Sequence, residues 1–274
     1  MAGFGAQQAD KKAKTKALAK RATSAIANWD EELAKQAEAA AAQEANTGGG
    51  QFFSLRGGQL KLNDAPLPNN EIAAVIIDSV LENVYYAGDF DPDNPASPSC
   101  YAFGRDEDSM EPNEAVEEKQ ADGCADCPMN QWGSAETGRG KACRNRRRIA
   151  VIPAGTIDRN GEFEAYDDPD HFAKAQVAYL ALPPTSINGY GAWVKQVAGA
   201  LKRPPHAVFA RIAVVPDQKT QLKVTFETLG PVPNELLPAV IKRHDEVAAN
   251  IEFPYQKVER QDPKAKRKAK PRKY

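Results

Sequence analysis

Cys100, Cys124, Cys127 and Cys143 are the residues of this 274-residue chain whose types and spacing best suit chemistry. Two residues separate Cys124 from Cys127, a knuckle in which two thiolates can reach one ion, and Cys100 and Cys143 can complete a tetrahedron around it. Four sulfur ligands leave no position for water, so the chemistry expected is structural: a zinc ion that orders a loop lacking a core of its own. The same thiols leave two alternatives open, a Cys124/Cys127 redox pair and an iron–sulfur cluster. No βαβ pattern surrounds the pair, which argues against the redox use. His171, His206 and His244 stand far from the cysteines in sequence and read as surface or packing residues.

A second group lies around the last cysteine, where the chain reads Arg139-Gly-Lys-Ala-Cys-Arg-Asn-Arg-Arg-Arg148. Guanidinium groups fork onto phosphate oxygens and stack on bases, so Lys141, Arg144, Arg146, Arg147 and Arg148 are expected to contact a nucleic-acid backbone. Tyr86, Phe103 and Trp132 are the expected stacking faces, each worth about 1–3 kcal/mol per base. Alternate strand side chains face opposite ways, so of Tyr85 and Tyr86 only one ring can face outward. The acidic stretches 106–108 and 117–118 compete for the same arginines as ion-pair partners. Asp89, Asp91 and Asp93 could hold a magnesium ion in a nucleic-acid enzyme, although Asp-Pro-Asp stretches are commonly solvated turns. H-E-x-x-H, GxxxxGK[ST] and GxSxG are all missing from the sequence, and no catalytic residue is assigned; the chain is expected not to be an enzyme.

The elements that must position these groups follow from periodicity. With 42% apolar residues the chain can bury one core of about 150–200 residues. Lys+Arg 36 against Asp+Glu 37 nearly cancel, so local charge says more than the total. Residues 1–50 form an Ala/Lys-rich helical or disordered segment ending in a Gly linker, residues 51–255 the folded domain, and residues 256–274 a basic tail. Runs of β-branched and aromatic residues predict strands at 51–56, 59–62, 72–86, 146–152, 176–182, 207–215 and 221–229. A helix capped by Ser186 or Asn188 is expected to reach Leu201, burying Ile187, Tyr190, Val194, Val197 and Leu201, and another is expected over 233–251. Residues 87–145 lose all period and form the insertion that carries the cysteines. The fold class is mainly β with accessory helices (α+β). No apolar run suits a signal peptide or membrane span, so a cytoplasmic protein with no membrane partner is expected.

Gly123-Cys-Ala-Asp-Cys-Pro-Met-Asn-Gln-Trp-Gly-Ser134, Gly138-Arg-Gly-Lys-Ala-Cys-Arg-Asn-Arg-Arg-Arg-Ile149, and Leu182-Pro-Pro-Thr-Ser186 with Tyr190 and Trp193 resemble a pattern of bacteriophage and mobile-element proteins. The resemblance covers residues 72–253. More distantly, a zinc-bearing insertion in a β-barrel with arginines and aromatics is similar to the single-stranded DNA-binding proteins of T-even-like phages. That resemblance implies an OB-like barrel, single-stranded DNA (or RNA) as partner, replication or recombination proteins as further partners, and the host cytoplasm as location. Two features depart from it: the cluster contains no histidine, and the C-terminal tail is basic where such proteins carry an acidic one. The rival reading is a zinc-stapled protein-interaction adaptor that does not bind nucleic acid.

Overall fold

The computed structural model describes residues 51–88 and 96–256. The Ala/Lys-rich helix, the Asp89, Asp91 and Asp93 stretch and the basic tail expected from the sequence lie outside the described residues. In chain order the elements are β1 (Gln51–Ser54), β2 (Lys61–Leu62), β3 (Ala65–Pro66), β4 (Glu71–Tyr85), β5 (Cys100–Gly104), β6 (Arg144–Pro153), β7 (Gly155–Ile157) and β8 (Phe163–Ala165). There follow α1 (Pro169–Lys174), β9 (Ala178–Leu182), α2 (Pro184–Leu201), β10 (Val208–Asp217), β11 (Gln221–Pro231) and α3 (Leu237–Ala248).

The fold is mainly β, its main sheet curled into a half-barrel with few helices. The strand order is β11-β10-β4-β6-β9-β1-β2-β3, and β5 pairs with the far end of β4. β4, β6 and β9 form an antiparallel meander and β10 returns to lie beside β4, a Greek-key order that β11 extends as a hairpin. β1 joins β9 in parallel. β4 is long because residues 73–77 are buried in succession, both faces of the strand being covered. One face packs Ile76, Ile149, Leu180 and Ile212 against Tyr190, Trp193 and Val197 of α2. The other packs Val75, Ile77, Ile152 and Phe209 against Phe172 of α1 and Val240 and Val247 of α3.

Four expectations need correction. Cys100–Gly104, placed in the aperiodic insertion, is a strand of the sheet, so the irregular part is shorter than 87–145. α2 begins at Pro184, where a proline's fixed φ suits a first helical position, so Ser186 lies inside the helix and caps nothing. Its hydroxyl instead accepts the Val224 N–H at 2.9 Å, tying α2 to β11. The buried stripe is Ser186, Tyr190, Trp193 and Val197, whereas Leu201 is 39% exposed. α3 is shorter than the 233–251 expected, because Pro233 to Leu236 form a turn ahead of it.

A turn at Arg159-Asn160-Gly161 joins β7 to β8, with the Gly161 N–H donating to the Asp158 carbonyl at 3.0 Å. Gly155 begins this hairpin because nothing larger fits: a Cβ there would collide with the Glu164 carbonyl oxygen and stand 2.9 Å from the Ala165 Cα. Both are backbone atoms of the paired strand and cannot rotate aside. Gly155→Ala is expected to lower stability by about 1–3 kcal/mol, read as a shift in the urea midpoint. An unchanged midpoint would show that the two strands do not pair this closely in solution.

Candidate functional site

Each cysteine is held by backbone on a different part of the same loop system. Cys100 opens β5 opposite Tyr85 of β4. The Cys124 N–H donates to the Met110 carbonyl at 2.8 Å, and the Cys143 N–H to the Met129 carbonyl at 2.7 Å, immediately before β6. Cys127 precedes the 3-10 turn Pro128–Asn130, and its carbonyl accepts the Asn130 N–H at 2.9 Å. The buried Asn130 side chain donates to the Cys124 carbonyl at 2.8 Å and accepts from Lys141 Nζ at 3.2 Å. Gln131 Nε2 donates to the Ala125 carbonyl at 2.9 Å. The loop's shape is thus fixed by its own amides, as a donor set for one centre requires.

All four cysteines are buried and none is in a disulfide. They line one cavity of about 20 Å³ together with Asn83, Tyr85 and Gln120. Burial pushes the Cys143 thiol up to about 12, and the neighbouring Cys124, Cys127 and Cys100 push it the same way. Burial also raises Cys100 and Cys124, opposed by the Gln120 backbone N–H at Cys100 and by the Asn83 amide at Cys124. The four thiols are therefore near enough to oppose one another's ionisation. Among the described residues, no three His, Cys, Asp or Glu side chains are arranged to hold a metal ion. Of the features a thiolate centre requires, the structure has the donor set, a shared cavity and N–H groups directed at sulfur.

The basic residues divide between two sides of β6, because alternate strand side chains face opposite ways. Arg144 is exposed, with its guanidinium 5.8 Å from the Tyr86 ring, and Arg146 is half-buried on the same side. Lys141 Nζ stands 5.9 Å from the ring of Trp132, which is 79% exposed. Arg148 and Phe103, expected at the phosphate and the base, are 4% and 8% exposed and reach neither. Residues 251–255 lie over this part of the sheet. Arg148 donates to Glu82 Oε1 at 2.7 and 3.1 Å and to the carbonyls of Ile251 and Phe253 at 2.9 and 3.2 Å. Its guanidinium is sandwiched between the rings of Phe103 and Phe253, 4.2 and 4.1 Å away.

Arg147 points to the opposite side, donating to Ser79 Oγ at 3.2 Å with its guanidinium 5.6 Å from the Tyr190 ring. There it joins residues that the sequence did not connect. His206 and His244 meet with ring centroids 4.4 Å apart, and Asp78 takes a two-point bond from Arg105 at 2.6 and 3.0 Å. No spacing rule links residues 78, 105, 147, 206 and 244; the one local signal is a β-bulge between Ile76 and Asp78, visible only once the register is known. Glu82 was also missed, since an acid inside an apolar strand carries no sign of its partner. Comparison of the chain with protein-family models, with curated proteins and with solved structures gave no match.

Proposed function

We propose that the chain is a single-stranded DNA-binding protein of phage type, acting in replication or recombination, with a structural zinc ion held by Cys100, Cys124, Cys127 and Cys143. The observation that carries the reading is the exposed Trp132 beside Lys141, with Arg144 against Tyr86, on the loop that the cysteines shape. Within the nine-stranded sheet, the Greek-key order β11-β10-β4-β6-β9 supports an OB-type reading, a partly open five-stranded form that binds oligonucleotides with the loop between its first and second strands. The cysteine loop is that connection here. In this reading zinc supplies rigidity, and Trp132 and Tyr86 stack on bases while Lys141, Arg144 and Arg146 follow the phosphates. No catalytic step is assigned to the chain.

The test is a titration of labelled oligo-dT, duplex DNA and single-stranded RNA at low and moderate salt, with zinc measured on the same sample. Tight, salt-sensitive binding that prefers the single strand supports the reading. Trp132→Ala is expected to cost about 1–3 kcal/mol of that affinity. Arg144→Ala with Arg146→Ala should flatten the salt dependence by about one unit of slope for each phosphate no longer neutralised. Zinc without any preference for single strands would move the assignment to the interaction adaptor, for which an exposed tryptophan is equally suited.

A further inference from the structure

A groove of about 820 Å³ runs between the bulge of β4, the middle of α2, the turn at Pro205 and His244 of α3, which packs on the opposite face of the sheet from α2. Its volume suits a small ligand, and its polar groups converge from separate elements, the usual build of a binding site. Asp78 is the only acid among the described residues that line it, and Arg105 already neutralises that acid in a two-point pair. Arg147 has no carboxylate partner among the described residues, and its Nε atom is buried with no hydrogen-bond acceptor at all. Lys195 of α2 adds a second cation, with no carboxylate partner among the described residues. The His206 and His244 rings, 4.4 Å apart, add ring nitrogens to its wall, with His244 Nδ1 3.1 Å from Asp245 Oδ1.

We infer that this groove is a binding site for a phosphate monoester, recognised by Arg147, Lys195 and the His206–His244 pair. A cation is the wrong occupant, because Asp78 is spent on Arg105. A stacked base is the wrong occupant too, because the phenol ring in the lining, Tyr190, is 4% exposed and packed into the core. A dianionic phosphate supplies what the groove lacks: acceptors for the Arg147 guanidinium and the Lys195 ammonium, and two negative charges to balance these two cations. The site lies apart from Trp132 and Arg144 and stands whether or not the chain binds single strands. Two sources offer this chemistry, a free nucleoside monophosphate and the 5′-phosphorylated end of a strand.

The test uses the full chain and calorimetric titration with inorganic phosphate, adenosine 5′-monophosphate and adenosine. Phosphate and the monophosphate are expected to bind one per chain and to shift the His206 and His244 imidazole signals in NMR spectra; adenosine is expected to do neither. Lys195→Glu, on an exposed helix position, should weaken both about tenfold without lowering the melting temperature, and Arg147→Gln should weaken them further. Oligo-dT bearing a 5′-phosphate or a 5′-hydroxyl then identifies the source: a preference for the phosphate that Lys195→Glu removes assigns the strand end, and equal binding assigns the free monoester. Failure of phosphate and monophosphate to bind the wild-type chain, or binding that survives both substitutions, overturns the inference. Oligo-dT affinity that falls on Trp132→Ala reports on the other site and leaves this one standing.

Discussion

Cys143→Ser is expected to abolish stoichiometric zinc and to release the loop from Arg105 to Cys143. Structural zinc in small thiolate sites contributes about 10–16 kcal/mol of apparent binding free energy, which here would be folding free energy for a segment with few apolar side chains of its own. Its buried apolar residues in the 105–143 stretch, Met110 and Val116 among them, cannot supply a comparable term. Serine keeps the size of the side chain and removes the soft donor, so the loss reports on coordination rather than on packing. The measurement is zinc content by mass spectrometry, with limited proteolysis of wild type and variant before and after chelation. New cleavage sites confined to the loop, the same in the variant and in the chelated wild type, are the expected result. If the chelated wild type resists protease as well as the untreated protein, the thiols pack as a neutral cluster and the proposed metal is wrong. The redox alternative makes a different forecast: Cys100→Ser and Cys143→Ser would be silent, and only Cys124→Ser and Cys127→Ser would change behaviour.

The second large effect is expected at the ion pair beneath the C-terminal segment. The Glu82 and Arg148 side chains are 1% and 5% exposed, so removing either leaves a charge in an apolar setting, at a cost of about 3–5 kcal/mol. Glu82→Gln should approach that value, because Arg148 keeps the Ile251 and Phe253 carbonyls but loses its counter-charge. Arg148→Met keeps the stem and the packing against Phe103 while stranding Glu82, whose Oε2 already has no partner. The Tyr255 hydroxyl donates to Glu82 Oε1 at 2.7 Å, and burial, aided by that carboxylate, raises the phenol well above its usual range, so it remains a donor. Replacing both by apolar residues can recover much of the loss in a buried pair. Here recovery should be partial, because the two carbonyls and the phenol would still lack partners. Urea unfolding of the two single variants and the Glu82→Leu/Arg148→Met double variant measures this; a double variant as stable as wild type would show that the clamp contributes no net stability.

The parts of the fold legible in the sequence were those with a clean period. β4, β6, β10 and β11 are long runs whose strand character can be read from residue type. β5 was hidden because Cys100-Tyr-Ala-Phe-Gly104 is short, flanked by Pro and Asp, and set inside a stretch without a period. The stripe of α2 was displaced by one small residue: Ser186 packs inward because its hydroxyl satisfies a strand amide, which no apolar pattern encodes. At the site, the four cysteines were found from spacing, and the structure gathers them around one cavity. The arginine run could be found but not sorted, since which face of β6 is covered depends on residues 251–255. His206 and His244 belong to elements that meet only in three dimensions.

The clamp on residues 251–255 also fixes when the chain can finish folding. Tyr255 and Glu82 are 173 residues apart, and Arg148 and Phe253 are 105 apart. Loop closure over such separations is slow, and contacts of this kind form late relative to local hairpins. During synthesis β4 and β6 emerge long before the segment that covers them, so Arg148, Glu82 and the surrounding rings face solvent until the last part of the domain arrives. A ribosome paused before residue 251 would carry a sheet with one charged, aromatic patch open, a state suited to chaperone capture or misassociation.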